Sequence, residues 1–374
     1  MNFKVAWRKA DFDRLRDQIK AFRLPELQFD DDWAYGCSPV YLREFLNYFS
    51  NEFNFEEAVD ELNRFPQVKV DIDGVDIHAV HVVGEAEGRN PLMLIHGWPG
   101  SVYEFWEVIE KLAFPSRFGG NVSDAFDVIV PSLPGFGFSA KPDKPVGART
   151  AARLFASLMA SLGYSRYRVQ GGDWGAGVGA WLALDYPQAV EGLHLNYVLV
   201  HPNTQPQTGE ERDWRAKADD AQRRLGAYAQ LQGTKPASLA YAMDGNPVAQ
   251  AAWLLERFHD WSDRREKPFS GVFSKKRLLI NILIYLMNDA FTSATYFYLG
   301  GNLENIRTIP DGKRIEVPTA VTAYPDPRVP VPPKSWVERG YNVQRWRDAP
   351  RGGHFAAMEE PDYFVNDIKD WARE

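Results

Sequence analysis

The stretch GGDWGAGVGA, Gly171 to Ala180, decides how the chain folds. It follows the run Tyr167 to Gln170, which is typical of a short strand, and it continues into Trp181 to Leu184, which is typical of a helix. Small residues surround one reactive side chain, Asp173. The stretch therefore predicts a tight turn between a strand and a helix that presents a carboxylate.

Strand and helix patterns alternate on both sides of this turn. Apolar residues alternate about Asp73-Gly74, which predicts a β-hairpin, and a helix is predicted over Val102 to Leu112. The other predicted strands are Leu92 to Ile95, Val128 to Val130, Val317 to Ala323 and Val343 to Arg347. Strands that alternate with helices imply an α/β fold with a mostly parallel sheet.

The chain divides into four segments by pattern. Residues 1–65 show helical spacing and predict an N-terminal helical arm, whose aromatic stripe we interpret as packing. Residues 66–201 form the first part of the α/β core, and residues 306–374 form its second part. Residues 202–305 lack strand patterns and are rich in helix formers, so we expect a helical lid over the carboxyl ends of the strands, where ligands bind in such sheets.

Composition narrows the function classes. The formal net charge is −7 and no long run of Lys or Arg is present, which argues against nucleic acid as a partner. The single cysteine, Cys37, excludes an internal disulfide framework and a cysteine metal cluster. The start of the chain has no apolar signal core, and the apolar run Leu278 to Met287 is short for a bilayer span. We expect a soluble cytoplasmic protein that acts on a small molecule.

Two further segments join Asp173 as candidates for chemistry. In His96-Gly97-Trp98-Pro99-Gly100, the glycines allow a tight turn that directs a backbone N–H inward. The N–H groups of Trp98 and Trp174 would then form an oxyanion hole. Arg351-Gly352-Gly353-His354-Phe355 precedes the last helix and supplies a histidine base. Asp173 is also compatible with a helix N-cap, although the neighbouring motifs favour a nucleophile.

The motifs HGWPGS, GGDWGAG, GAYAQLQGTKP, TYFY and RGGHFAAMEEP occur here in that order, after a helical arm. In this combination the chain resembles the epoxide hydrolases of the microsomal and juvenile-hormone type, which have the α/β-hydrolase fold. The likeness covers nearly the whole chain, and the start of the sequence is similar to the soluble microbial members. The resemblance implies hydrolysis of an epoxide to a diol, with water as the second substrate and no metal or cofactor.

A carboxylate nucleophile suits that reaction for a physical reason. Attack by a serine on an epoxide carbon would leave an ether, whereas attack by Asp173 leaves an ester that water can hydrolyse. The carboxylate is ionised at pH 7, so His354 is free to activate the water. The resemblance further assigns proton donation to two lid tyrosines, Tyr228 and Tyr298, with Tyr296 as an alternative for the second.

The remaining assignments depend on the resemblance and on position. The acid that orients His354 is expected at the third residue after Tyr324, but Pro327 stands there, so we predict Asp326 after a shift of one residue. Glu338 and Asp348 are the alternative acids. The predicted substrate-binding residues are Trp98, Trp106 and Tyr296. The aromatic lid favours an apolar or aromatic epoxide.

Two other functions are compatible with parts of the pattern. A haloalkane dehalogenase also uses an aspartate and a histidine, and Trp174 could donate to a halide. However, Trp98 stands where such enzymes tend to carry Asn, and they have no place for the arm. A binding protein without activity has no need for both Asp173 and His354. The sequence leaves open the identity of the epoxide and whether the chain forms a homodimer.

Overall fold

The computed structural model describes residues 1–27, 32–88 and 90–374. Within these residues one sheet of nine strands runs in the order β1-β2-β3-β5-β4-β6-β7-β8-β9. The strands are β1 (Asn2–Phe3), β2 (Gln67–Ile72), β3 (Val75–Val82), β4 (Pro91–Ile95), β5 (Asp127–Pro131), β6 (Tyr167–Gly171), β7 (Val190–Leu195), β8 (Ile315–Ala323) and β9 (Tyr341–Asp348). The predicted strands and the α/β class are confirmed.

The pairing of neighbouring strands changes once across the sheet, from antiparallel to parallel. The pairs β1–β2, β2–β3 and β3–β5 are antiparallel, and all pairs from β5–β4 to β8–β9 are parallel. The predicted hairpin turns at Asp73 and Gly74, which both have positive φ angles, of 54° and 82°. Every residue of β4 and of β5 is buried, as their continuous apolar runs require. The carboxyl ends of the parallel strands therefore lie on one edge.

Helices cover this sheet and continue over that edge. The helices of the arm are α1 (Lys9–Ala21), α2 (Pro39–Asn51) and α3 (Phe55–Leu62). The helices of the core are α4 (Ile109–Ala113), α5 (Ala148–Ser161), α6 (Asp173–Asp185), α14 (Lys334–Val337), α15 (Ala356–Glu359) and α16 (Pro361–Arg373). Between β7 and β8 lie α7 (Gly209–Leu225), α8 (Ala227–Thr234), α9 (Pro236–Met243), α10 (Pro247–Trp261), α11 (Phe269–Val272), α12 (Lys275–Leu286) and α13 (Phe291–Leu303).

The helices α7 to α13 occupy the segment that the sequence predicts as a lid. Its two ends lie side by side, because His201 and Thr308 form an isolated β-bridge. The arm packs on the lid: α1 contacts α10, and α2 contacts both α10 and α12. Arm residue Trp33 stacks on His259 of α10 with ring centroids 3.9 Å apart. Aromatic residues of the arm thus pack against α10.

One predicted helix is wrong in its extent. The segment 102–112 forms a 3₁₀ helix at Val102–Phe105 and a separate α-helix that begins at Ile109. The side chains of Tyr103 and Trp106 bond to Glu61 of α3, Trp106 through its indole N–H over 3.1 Å to the Glu61 carbonyl oxygen. These contacts with the arm hold a turn where helix propensity alone favours a continuous helix.

Within the described chain no single helix is long and apolar enough to cross a membrane. Only α12 and α13 taken together have the length and apolar composition of a span, and they meet at a bend of 80°. Most residues of α12 are buried in the protein.

Candidate active site

Asp173 is the first residue of α6, directly after β6, and its φ angle is +47°. Residues other than glycine rarely adopt this conformation, and such strain is common at functional sites. The surrounding glycines permit the turn: a Cβ atom on Gly175 would meet the carbonyl group of Ile95, and one on Gly97 would meet the Asp173 side chain. The small residues of the motif are therefore required by close backbone approach, and they leave one buried carboxylate at the sheet edge.

The loop after β4 directs a donor at this carboxylate. The backbone N–H of Trp98 donates to Asp173 Oδ1 over 2.9 Å. His96 fixes the loop, because its Nε2 accepts from the Leu133 N–H over 3.1 Å while its Nδ1 lies 3.0 Å from the Gly97 carbonyl oxygen. Burial lowers the pKa of His96 to about 4, so this ring is neutral at pH 7 and can accept. The Trp174 N–H, in the first turn of α6, is free of an intrahelical partner.

His354 lies against the other oxygen of the carboxylate. Its Nε2 is 3.2 Å from Asp173 Oδ2, which is ion-pair distance without hydrogen-bond alignment. Its backbone N–H donates to the Trp261 carbonyl oxygen of α10 over 2.9 Å. Glu359 of α15 accepts the backbone N–H groups of Gly353 and Phe355, each over 2.9 Å. The loop is thus fastened on both sides of the histidine.

Asp326 contacts the far side of the imidazole. His354 Nδ1 donates to Asp326 Oδ2 over 2.7 Å, and Asp326 Oδ1 accepts the backbone N–H of Arg328 over 2.7 Å. The second bond closes a turn across Pro327, which explains how the shifted aspartate is held in place. The alternative acids bond elsewhere: Glu338 lies 3.5 Å from Lys334, and Asp348 accepts from the Trp346 indole over 3.3 Å.

The charges of Asp173 and His354 each shift the pKa of the other group towards its charged form. Burial raises the pKa of Asp173, but His354, Arg328 and the Trp98 N–H outweigh burial and hold that pKa below its usual value. Burial lowers the pKa of His354, but the carboxylates of Asp326 and Asp173 outweigh it and raise that pKa to about 9. At pH 7 the carboxylate is therefore ionised and the imidazole is protonated.

The lid supplies two buried phenols. Tyr228 of α8 and Tyr298 of α13 meet edge to face, with centroids 6.0 Å apart, and both rings contact Trp98. Burial raises the pKa of Tyr228 to about 12, although Arg328 opposes this shift, and burial raises the pKa of Tyr298 well above its usual value. Within the described residues the Tyr298 hydroxyl has no hydrogen-bond partner. Both phenols are neutral donors at pH 7.

Two predicted binding residues do not reach this site. Tyr296 lines a separate pocket with Pro134, Lys141 and Thr292, because residues two apart on α13 point to different sides of the helix. Trp106 packs against Phe65 and Tyr103 in a cluster beneath the arm, since the turn described above directs it there. Of these three side chains, the structure places only that of Tyr298 against Trp98 and Trp174, the residues next to Asp173.

Sequence reasoning missed two charged residues of the site. Glu104 is buried next to Gly100, and burial raises its pKa to about 8 while His354 opposes and Asp173 adds to the shift. Arg328 lies 3.4 Å from Asp173 Oδ2. Arg328 follows Asp326 by two residues in a loop at the carboxyl end of a strand, but this position alone does not indicate that the side chain is buried. Within the described residues no group of three His, Cys, Asp or Glu side chains is arranged to hold a metal ion.

Comparison with known proteins agrees with this geometry. Residues 1–105 match the family model described as epoxide hydrolase N terminus, and residues 90–361 match the model described as alpha/beta hydrolase fold. The chain is 34% identical to epoxide hydrolase 1 of Sus scrofa over 98% of this chain and 87% of that protein. It is 30% identical to the juvenile hormone epoxide hydrolase of Bombyx mori over 98% of this chain and 85% of that protein.

The solved structures give the same result for the fold. The epoxide hydrolase of Aspergillus niger superposes with a TM-score of 0.86 at 28% identity, covering 100% of this chain and 95% of that chain. The match includes the arm, the core and the lid, since no part of this chain is left out. The turn at Asp173, the two family models and these relatives show that the chain belongs to the epoxide hydrolases of the α/β-hydrolase fold.

Proposed function

We propose that the protein hydrolyses an epoxide to a vicinal diol through a covalent ester on Asp173. The observation that carries the proposal is the environment of the two carboxylate oxygens. Oδ1 accepts the Trp98 N–H. Oδ2 lies 3.2 Å from His354 Nε2 and faces the same side as Arg328. Arg328 in turn donates a hydrogen bond to Tyr228. Oδ2 is therefore the attacking oxygen, and Oδ1 is held where a tetrahedral oxyanion forms later.

Ring opening is the first step. Asp173 Oδ2 forms a bond to an epoxide carbon, the bond from that carbon to the epoxide oxygen breaks, and the oxygen takes a proton from Tyr228. Tyr298 donates a second hydrogen bond to the same oxygen. A buried phenol is suited to this task because it is a neutral donor that can stabilise a developing alkoxide.

Ester hydrolysis is the second step, and the first step prepares it. Ester formation removes the charge of Asp173, which is one cause of the raised pKa of His354. The pKa of His354 therefore falls, the imidazolium releases its proton to solvent, and the neutral ring becomes a base for water. Water attacks the ester carbonyl carbon, His354 takes one proton and passes it to the departing diol oxygen, and the second proton of the water restores the Tyr228 phenol. The ring takes a proton up again from solvent once the Asp173 carboxylate is restored.

The shape of the site favours an apolar or aromatic epoxide. An aromatic cluster surrounds the line from Asp173 to His354, and its rings are almost fully buried. The cluster consists of Trp98, Trp261, Tyr228 and Tyr298. Aromatic rings provide a large apolar contact area with few internal degrees of freedom. We expect a substrate with an apolar substituent next to the epoxide ring.

Single turnover in heavy-oxygen water tests the covalent route. The heavy oxygen should enter the Asp173 carboxylate, and the first diol released should carry little of it, because the first diol takes its oxygen from the enzyme. Mass spectrometry of the Asp173 peptide and of the diol measures both. Asp173→Ala should abolish turnover. Label that appears directly in the first diol would show that water attacks the ring, and the proposal would fail.

His354→Gln separates the two steps. The variant should still be alkylated, because ring opening needs the carboxylate and the phenols, and it should then stop at the ester. Intact-protein mass spectrometry should show an added mass equal to that of the epoxide. His259→Gln is the matched control, since His259 stacks on Trp33 of the arm and should leave turnover intact. Bound substrate without an adduct would contradict this division of roles.

Haloalkane dehalogenation is the second candidate, and one observation favours it. The indole Nε1 of Trp98 is buried without a hydrogen-bond partner within the described residues, as a halide donor would be. The pair of phenols favours an oxygen leaving group. A panel of aryl epoxides, alkyl epoxides and haloalkanes, assayed for diol and for halide, decides between the two. Halide release without diol formation would replace the first proposal with the second.

A further inference from the structure

Arg328 follows Asp326 by two residues in the loop after β8, and the structure ties the two together. One oxygen of Asp326 accepts the Arg328 backbone N–H, and the other accepts His354 Nδ1, each over 2.7 Å. The same carboxylate therefore fixes the imidazole and the start of the Arg328 side chain. A change in the position of this loop would move both groups.

The Arg328 side chain extends from this loop between the core and the lid. Its Nη2 donates to the Tyr228 hydroxyl oxygen over 2.6 Å, and its Nη1 lies 3.4 Å from Asp173 Oδ2. The guanidinium lies over Trp261, 4.4 Å from the ring centroid, and the side chain is 13% exposed. One cation thus bridges the nucleophile and a proton donor of the proposed reaction.

A purely structural arginine would be expected to have a different partner. An arginine that only fastens a lid to a core gains most from a carboxylate of its own in bidentate contact. In the described part of the chain, the ion pair of Arg328 is with Asp173, at one nitrogen, and its short hydrogen bond is to Tyr228. Both partners change charge or proton content in the proposed reaction.

On the basis of the proposed function, we propose that Arg328 is a positioning residue for ring opening that acts through Tyr228. Since the guanidinium donates to the phenol oxygen, the phenol proton must point elsewhere, and the epoxide oxygen can receive it. As that proton leaves, the guanidinium stabilises the phenolate that remains. Tyr228 is then the acid of the reaction, and Tyr298 is the supporting donor.

Ring opening moves the negative charge to the closer partner of Arg328, from Asp173 Oδ2 at 3.4 Å to the Tyr228 oxygen at 2.6 Å. Before the reaction, Asp173 and the phenol share the positive charge of Arg328. After it, Asp173 is a neutral ester and the guanidinium faces the phenolate alone. Burial lowers the pKa of Arg328, but Tyr228, Tyr197 and Asp173 outweigh burial and raise it, so the cation persists. An interaction that strengthens as the barrier is crossed increases the rate of that step.

Arg328→Met tests the role in single turnovers that follow the ester by mass spectrometry. The variant should form the ester roughly 10²-fold more slowly, and the ester should be hydrolysed at the wild-type rate. Arg328→Lys should recover part of the loss, because it restores a cation. The matched control is Arg224→Met: Arg224 lines the same surface groove of about 540 Å³ but pairs with Asp220. This control should form the ester at the wild-type rate.

A double-mutant cycle with Tyr228→Phe tests whether Arg328 acts through the phenol. If it does, Arg328→Met should cost almost nothing in the Tyr228→Phe background. Additive losses of the rate of ester formation in the double variant would overturn the inference. An Arg328→Met variant that slows ester formation and ester hydrolysis equally would overturn it too, and so would a loss of rate equal to that of Arg224→Met. Wild-type protein that forms no ester with any epoxide would instead overturn the proposed function, so the two failures are distinguishable.

Discussion

At the scale of single residues, the two lid tyrosines make the first prediction. Tyr228→Phe and Tyr298→Phe should each slow ring opening by roughly 10²–10³, because each removes one donor to the epoxide oxygen. The double variant should nearly abolish ester formation. Rapid-quench measurement of the ester provides the rates. Tyr296→Phe is the control, since Tyr296 lines a separate pocket, and a severe loss in this variant would contradict the choice of Tyr298.

Asp326 supports the second prediction at this scale. Asp326→Asn should leave folding and alkylation intact and slow ester hydrolysis by several orders of magnitude, because an amide cannot stabilise the imidazolium and can hold the wrong tautomer. Circular dichroism and the two half-reaction rates measure this. Glu338→Gln and Asp348→Asn should behave as wild type. A variant Asp326→Asn that turns over normally would assign the acid elsewhere.

Several site residues could be predicted because their chemistry requires an unusual local sequence. Asp173 stands among glycines that close backbone approach demands, and His354 follows two glycines in a loop before a helix. Arg328 could not be predicted in this way, since an arginine in a proline-rich loop is usually solvated. Its burial depends on the lid helices α8 and α10, which are distant in sequence. Side chains that meet only across two segments leave no local pattern.

At the scale of elements, helix α13 determines where Tyr298 lies. A Cβ atom on Gly300 would collide with the backbone of Val146 and Gly147 in the core. Gly300→Ala should therefore displace α13, lower thermal stability and slow ester formation. Gly209→Ala, in lid helix α7, is the matched control because its Cβ atom would meet nothing within 4 Å. Thermal unfolding and single-turnover rates test both, and an unaffected Gly300→Ala would show that α13 can move without loss.

The elements differ in how well local sequence defines them. The strands β4 and β5 were predictable because a buried parallel strand needs a continuous apolar run. The segment 102–112 was not, because contacts of Tyr103 and Trp106 with Glu61 in the arm decide its shape. The sequence of the arm indicates only amphipathic helices, and this pattern does not indicate that the apolar faces pack on the lid.

At the scale of the whole molecule, the arm, the lid and the core enclose a small set of charges. The core contributes Asp173, His354, Asp326 and Arg328, and the lid covers them with aromatic rings. Buried charges are retained only when they are paired. The paired charges of the active site therefore also contribute to the free energy of unfolding. A change in pH should change the activity and this free energy together.

The contribution of His354 to the free energy of unfolding can be measured through its pH dependence. Its pKa is about 9 in the folded protein against an ordinary value of 6.5. The folded state therefore keeps a proton that the unfolded chain loses, so the stabilisation is fully present below pH 6.5 and is lost as the pH rises through about 9. The shift corresponds to on the order of 3 kcal/mol in the free energy of unfolding.

Chemical denaturation of wild type and His354→Gln between pH 6 and pH 10 should show this loss. The difference in their free energies of unfolding should shrink as the pH rises, because only the wild type loses the imidazolium. Glu104, with a pKa of about 8, titrates in the same window and is itself influenced by His354. The comparison is therefore made in a Glu104→Gln background, which removes that carboxyl group from both proteins. Two curves that remain parallel across the window would show that the pKa of the buried imidazole is not raised in the folded state. The proposed reaction would then have to begin, at neutral pH and above, from a neutral His354.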